Sequence, residues 1–459
     1  MRDLAFIGFL VAMFGLGFRR PFLFVLTYVY IDLVSPQRLT YFLLNAVPIS
    51  MIAAALAVLG WLAVDDKRDL RIAPRQLLML MLLGYCFATT LTADFPVDAA
   101  SKWEWVWKAL AFAIFLPFTL RTKLRIESLL LFIVLSAASI VIVGGVKTLA
   151  TGGGGYGELN LMVSNNSGLY ESSTISLVAI ALIPIILWLT KHGTIFAPDW
   201  RVRTFGYALV FACLLIPVGT SARTGLVCIG LLLLLTLRDV KRRLLYLGMV
   251  GAAGLLVVPF LPAAFTARMN TIQTYQADSS ASTRIAVWKW TIDYAKSHPF
   301  GGGFEAYRQN KIRYDTVKVE KDGANATIAR QLEVDQARAY HSAYFEMLGE
   351  QGYPGLALWL TIHLAGLLRM EVLRRRYRHA RPGEEWIAPL ASALQHAHLI
   401  YMLGAAFVGL ALNPFIYMVV GAQVGLDTYL ARRRALESPT SFRRRPDARA
   451  LAAASGAAG

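Results

Sequence analysis

Three basic residues stand out by type and setting. Arg223 lies in Gly219-Thr220-Ser221-Ala222-Arg223-Thr224-Gly225, at the junction of two apolar runs with almost no linker. Arg284 follows Asp278-Ser279-Ser280-Ala281-Ser282-Thr283, a run of helix-capping residues, and precedes Ile285-Ala286-Val287-Trp288. His341 opens the end of the only long polar interval between apolar segments, residues 265–354. An imidazole titrates near neutral pH and can act as a general base. A guanidinium stays charged and binds phosphate through paired hydrogen bonds. On the same side of the chain there is no Asp-x-Asp pair and no His-x-x-x-His pair. An enzyme for sugar phosphates built from these parts would neutralise a pyrophosphate with arginines, not with a divalent metal.

Each residue also has a plainer reading. Arg223 is either a snorkelling anchor or part of a site. Ser221, Ala222 and Gly225 leave room beside its guanidinium for a bulky headgroup. Arg284 is either a lipid-phosphate contact or part of a site. A lone histidine such as His341 is often a satisfied structural residue. Tyr340, Tyr344 and Glu346 surround it and are candidates to complete a pocket with Ser221. His298, ahead of Pro299-Phe300-Gly301-Gly302-Gly303, reads as structural. His192, His363, His379, His396 and His398 fall in helix bodies or loops on the opposite side.

The positioning elements are membrane helices. Of the 459 residues 56% are hydrophobic and 16% charged, with a mean hydropathy of +0.50. A soluble protein carries about 25% charge. Apolar runs at residues 4–18, 21–35, 40–63, 75–92, 103–120, 127–149, 169–190, 204–219, 224–237, 243–262, 354–369, 386–408 and 411–430 predict an all-α polytopic membrane protein with about 12–13 transmembrane helices. The residues after Met1-Arg2-Asp3 read as a first membrane helix, not a removed signal peptide. Cys86, Cys213 and Cys228 lie in apolar runs and imply neither a disulfide framework nor a metal site.

The net charge of +17 follows from basic loops and does not call for nucleic acid. Arg19, Arg20, Lys67, Arg68, Arg71, Arg121, Lys123, Arg125, Lys191, Arg238 and Arg374-Arg375-Arg376 fall in alternate loops, which the positive-inside bias puts in the cytoplasm. That parity puts residues 92–102, 151–169, 220–223 and the long loop outside. The glycine run at residues 152–157 lacks the Lys-Ser/Thr ending of a P-loop and reads as a linker. Trp103-Glu104-Trp105-Val106-Trp107 reads as an interface anchor before a sugar-stacking platform. Ile285, Trp288 and Ile292 share one helical face and suggest a helix lying on the outer leaflet. Residues 342–351 read as a short helix that stops at Gly352, with Pro354 starting the next. The apolar run after it spans only ~22 Å at 1.5 Å per residue, so His341 is expected outside the hydrocarbon.

Taken together, the chain resembles the O-antigen ligase and polymerase superfamily (Wzy/WaaL-like). Ser221-Ala222-Arg223 is similar to the family's outer Ser-x-Arg, Arg284 to its loop arginine followed by a tryptophan, and residues 298–304 to its His-Pro-x-x-Gly-x-Gly-x. His341 followed by Glu346 and Gly352-Tyr353-Pro354-Gly355 is similar to its loop-end motif. Met1-Arg2-Asp3-Leu4, Arg19-Arg20-Pro21-Phe22, Ser35-Pro36-Gln37-Arg38-Leu39-Thr40, Lys102-Trp103-Glu104 and Gly144-Gly145-Val146-Lys147 resemble the branch described as exosortase A system-associated O-glycosylation ligases. The resemblance implies inverting, metal-free and cofactor-free transfer of a glycan from undecaprenyl pyrophosphate to an acceptor hydroxyl of a glycan, lipid or protein. It implies an active site facing the periplasm from the bacterial inner membrane, with His341 on the acceptor and Arg223 and Arg284 on the pyrophosphate.

The expected organisation is an N-terminal transmembrane region at residues 1–190, central helices at 191–262, a large, partly helical periplasmic loop at 263–353, closing helices at 354–430 and a disordered cytoplasmic tail at 431–459. Two other activities fit the same parts. A Wzy-type polymerase would use the same chemistry. A polyprenyl-linked sugar transporter or flippase would also hold pyrophosphate with arginines, but such proteins tend to show repeats and midplane charges.

Overall fold

A computed structural model describes residues 2–151, 168–238, 279–322 and 325–437, apart from residues 41, 42, 45 and 68, together with 242–245, 248, 251 and 252. The helices are α1 (Arg2–Arg19), α2 (Phe22–Val34), α3 (Pro36–Leu39), α4 (Ile49–Val64), α5 (Pro74–Leu91), α6 (Pro96–Thr119) and α7 (Lys123–Thr151). There follow α8 (Ser172–His192), α9 (Trp200–Gly219), α10 (Arg223–Leu237), α11 (Ser279–Ser297), α12 (Ala343–Arg376), α13 (Ile387–Gly404) and α14 (Pro414–Glu437). Local sequence sets several starts. Proline fills the first turn of α3, α5 and α6, where its missing N–H costs nothing. Asp199 caps α9 by accepting from the Val202 amide at 2.7 Å.

The molecule is an all-α polytopic membrane protein. Among the described residues four helices are long and apolar enough to cross a bilayer: Lys123–Ala150, Ser172–His192, Trp200–Gly219 and Ala343–Arg376. Shorter apolar helices, Phe22–Val34, Ile49–Val64 and Arg223–Leu237, stand beside them. Large apolar side chains such as Leu16, Leu59, Leu80, Phe211, Leu234 and Leu368 lie exposed on helix faces, which only a lipid environment favours. α8 is the centre of the bundle, 83% buried over its apolar window, and packs on α7, α9, α10 and α13. A chain of buried polar residues crosses the bundle. Arg75 donates to Gln423, Gln423 meets His398, and His398 meets His363 at 2.8 Å, joining α5, α14, α13 and α12.

Most predicted helices are present with shifted ends. The run at residues 40–63 is helical only from Ile49. The one at 103–120 starts at Pro96, which puts Lys102 on the helix. α14 extends past residue 431 to Glu437, where Arg433 and Glu437 pair at 3.0 Å. The glycine run at 152–157, Asn165-Asn166-Ser167, most of the helix expected at 243–262 and the chain after residue 437 lie outside the described residues.

The long loop holds strands as well as helix. β1 (Lys311–Asp322) and β2 (Asn325–Gln336) form an antiparallel hairpin, in register from Lys311 opposite Gln336 to Asp322 opposite Asn325. The period-two signature is present in Ile312-Arg313-Tyr314-Asp315 and Leu332-Glu333-Val334-Asp335, but the many charges hide it from a search for apolar runs.

Candidate active site

His341 precedes the first turn of α12 and holds a left-handed backbone, φ +48°. A non-glycine residue there is uncommon and persists only where its surroundings fix it. They do so from three sides. The Ala343 amide donates to the Ala405 carbonyl at 2.8 Å, tying the turn to the end of α13. Asn310, fully buried at the foot of the hairpin, accepts from the Arg338 amide at 2.8 Å and donates to the Arg338 carbonyl at 2.7 Å. On α11, the Trp288 indole donates to the Tyr340 carbonyl at 2.9 Å and its ring stacks on Phe345 at 5.0 Å.

Of the face expected to lie on the outer leaflet, only Trp288 turns inward, to this clamp. Ile285 and Ile292 are exposed, whereas Thr283, Val287, Thr291, Tyr294 and Ala295 are buried. Apart from Tyr294 the side chains of this second face are short and allow the helix to lie close against the loop and α12, and Arg284 comes to sit beside His341. Burial lowers the pKa of His341, the guanidiniums of Arg284 and Arg338 lower it further, and Glu171 opposes them. These surroundings favour the neutral ring, the state a base needs. Glu171 itself caps α8, accepting from the Thr174 amide and hydroxyl at 2.6 Å each.

The glycine run at 301–303 is a splice. At Gly352 the helix breaks, with φ +63°, and the Tyr353 amide turns to the Pro299 carbonyl at 2.9 Å. The Gly349 carbonyl thereby loses its helical donor, and the Glu350 carbonyl has none to lose because Pro354 has no N–H. The amides of Gly302 and Gly303 supply both, at 3.1 and 2.9 Å. A Cβ at Gly301, whose φ is +87°, would meet the Glu350 carbonyl oxygen at 2.4 Å, so the approach requires glycine. His298 stacks on Tyr294 at 4.2 Å, consistent with a structural role, and the Tyr294 hydroxyl bonds Asp94 from the α5–α6 turn.

Below His341 lies a buried charge cluster with no counterpart among the sequence candidates except Glu346. Lys102 Nζ stands 2.7 Å from Glu346 Oε1, 2.9 Å from both oxygens of Glu350 and 3.9 Å from Glu305. Glu346 Oε2 accepts from the Ala411 amide at 3.0 Å, and Glu350 from the Glu305 amide at 3.1 Å. Glu346 is thus turned into the bundle. Tyr344 donates to the Met402 carbonyl at 3.0 Å, and the Tyr340 hydroxyl is buried against Gly349. These three residues hold the His341 turn in place. The signal that could have found Lys102 is a lone lysine ahead of an aromatic interface run, but its partners are more than 200 residues away.

Arg223 opens α10 next to Ser221, which is also left-handed at φ +50°. Thr220 and Ser176 of α8 meet at 2.7 Å. This places Arg223 at the Glu171 end of α8, the end to which the His341 turn also belongs. The room expected at Gly225 is taken: a Cβ there would meet Pro217 at 2.5 Å and Ser176 at 3.0 Å. Its smallness serves helix packing, not a ligand.

Fold and site together define a polytopic membrane protein in which, among the described residues, His341 lies beside Arg284 and Arg338. Residues 208–360, which contain Arg223, Arg284 and His341, match the family model described as O-Antigen ligase. Residues 1–194 match a family of unknown function (DUF5935). No curated protein matches the chain. The first match supports the O-antigen ligase superfamily and, with it, a membrane glycosyl-transfer enzyme of ligase or polymerase type.

Proposed function

We propose that the chain is an O-antigen-ligase-type glycosyltransferase of the bacterial inner membrane, with its site facing the periplasm. Its donor is a glycan on undecaprenyl pyrophosphate and its acceptor a hydroxyl group. The neutral His341 ring takes the acceptor proton while the hydroxyl oxygen attacks the anomeric carbon from the face opposite the pyrophosphate. The bond from that carbon to the pyrophosphate oxygen breaks, the leaving group keeps the electron pair, and the anomeric configuration inverts. Arg223 and Arg284 hold the pyrophosphate and stabilise the charge that develops on it. The observation that carries the reading is a histidine fixed in a left-handed turn beside Arg284, inside the segment that matches the O-Antigen ligase model. Ser221 is assigned to the Arg223 turn, and Tyr340, Tyr344 and Glu346 to positioning.

The test is transfer by purified enzyme from an undecaprenyl-pyrophosphate glycan, with excess EDTA present. Transfer is expected to persist, and full loss restored by Mg2+ or Mn2+ would reject neutralisation by arginines alone. His341→Ala is expected to lower turnover by about 10²–10⁴, the usual cost of losing a general base, with donor binding retained. Unimpaired turnover would remove the histidine from the mechanism. Mass spectrometry of surface glycans and glycoproteins from a deletion strain distinguishes a ligase from a polymerase and identifies the acceptor.

A further inference from the structure

At the end of the bundle opposite His341 lies an open cavity of about 670 Å³ between α8, α10, the end of α12 and the start of α13. Its lining runs from buried to exposed. Trp188 and Leu232 are buried and Leu187 half-buried, whereas Lys191 and Arg378 are exposed and Arg374 half-buried. Glu385 is the single carboxylate in the lining, and its Oε2 accepts from the Gly383 amide at 2.9 Å. Behind the rim, Glu371 accepts from Arg238, Arg374 and Arg375 together, so one carboxylate offsets three guanidiniums and the field stays positive. The Trp188 indole donates to the Trp386 carbonyl, and Lys123 lies over the Trp386 ring at 5.3 Å, an aromatic and basic belt of the kind found at a bilayer surface.

We propose that this cavity binds the headgroup of an anionic phospholipid from the leaflet at the basic end. The phosphodiester sits against Lys191, Arg374 and Arg378, and the glycerol and upper acyl chains run along Leu187, Trp188 and Leu232. A soluble anion has no use for the apolar wall, and a neutral lipid has none for three cations. The order from charged rim to apolar depth is that of a lipid from phosphate to tail, and basic pockets between membrane helices recognise such headgroups.

The test uses the full chain purified in a neutral detergent, with lipid binding read by native mass spectrometry and thermal unfolding. Phosphatidylglycerol is expected to be retained and to raise Tm, and phosphatidylcholine is not. Lys191→Gln with Arg378→Gln is expected to lower phosphatidylglycerol affinity about tenfold or more. If the double variant aggregates, Arg378→Gln alone, at an exposed position, is expected to show a smaller loss of the same preference. A phosphatidylglycerol preference that survives in the folded variants overturns the site. Equal binding of both lipids overturns the recognition. Stabilisation by millimolar pyrophosphate equal to that by the lipid assigns the cavity to a soluble anion and overturns the lipid.

Discussion

The acid–base behaviour of His341 depends on residues that never touch the reaction. Arg338, 3.5 Å from Asp335, is one of the charges that lower its pKa. Arg338→Gln removes a repelling charge, so the folded-state pKa of His341 rises toward its ordinary value. The base must be neutral, so rate is lost as pH falls through that pKa. The acid limb of kcat/KM is therefore expected at higher pH in the variant, with the alkaline plateau unchanged. An unmoved limb would mean that the titrating base is another group. The arginines call for a different substitution. Lysine keeps the charge but not the planar fork, so Arg223→Lys and Arg284→Lys are each expected to impair transfer. A pure snorkelling role tolerates lysine, and near-normal transfer in both variants would return these arginines to that role.

At the scale of elements, the outer loop is held by a buried ion cluster and a backbone splice. Lys102→Met leaves Glu305, Glu346 and Glu350 without the cation they share, and breaking a buried pair in this way costs about 3–5 kcal/mol. Thermal unfolding in detergent is expected to show a large drop in Tm, partly restored by adding Glu346→Gln. An unchanged Tm would show the cluster to be energetically idle. Gly301→Ala puts a Cβ onto the Glu350 carbonyl in a left-handed backbone, and is expected to cost about 1–3 kcal/mol and to lower transfer with it. These contacts mark where sequence reading stops. The break at Gly352 and the restart at Pro354 were legible, because glycine and proline state their backbone needs locally. That the Gly302 and Gly303 amides satisfy the carbonyls left by that break was not, since nothing in either stretch names the other. The hairpin was missed because charged residues alternate with its apolar ones, and Lys102 because its partners are distant in the chain.

For the whole molecule, composition and apolar runs were enough to give the class of fold, since burial in lipid demands long helices with internally paired backbones. Their count and ends were less legible, because short apolar helices and a kinked one blur the run lengths. The alternation of basic loops is matched in three dimensions. Arg125 with Asp65, Arg238 with Glu371 and Arg433 with Glu384 lie at one end, and His341, Glu171 and Lys102 at the other. A membrane-impermeant thiol reagent applied to intact spheroplasts is expected to label a single cysteine at Arg338 and not one at Arg376. Labelling at Arg376 alone would reverse the orientation.

The splice between Pro299–Gly303 and Gly349–Tyr353 also decides what can be exchanged between proteins of this kind. Residues 299–303, ahead of the hairpin, are pinned to α12, and the Asn310–Arg338 bonds join its two feet, so the hairpin hangs from a closed ring of chain. Beyond Ile312, which packs with Val287 and Tyr340, its length and composition are expected to be free to change without moving His341. The ring is not: a transplanted loop has to bring residues 284–312 and 338–354 as one piece. It also has to find an aspartate at position 94 and a lysine at position 102 in its new host. A chimera cut at the membrane boundary alone would split that unit and leave the graft with nothing to close on.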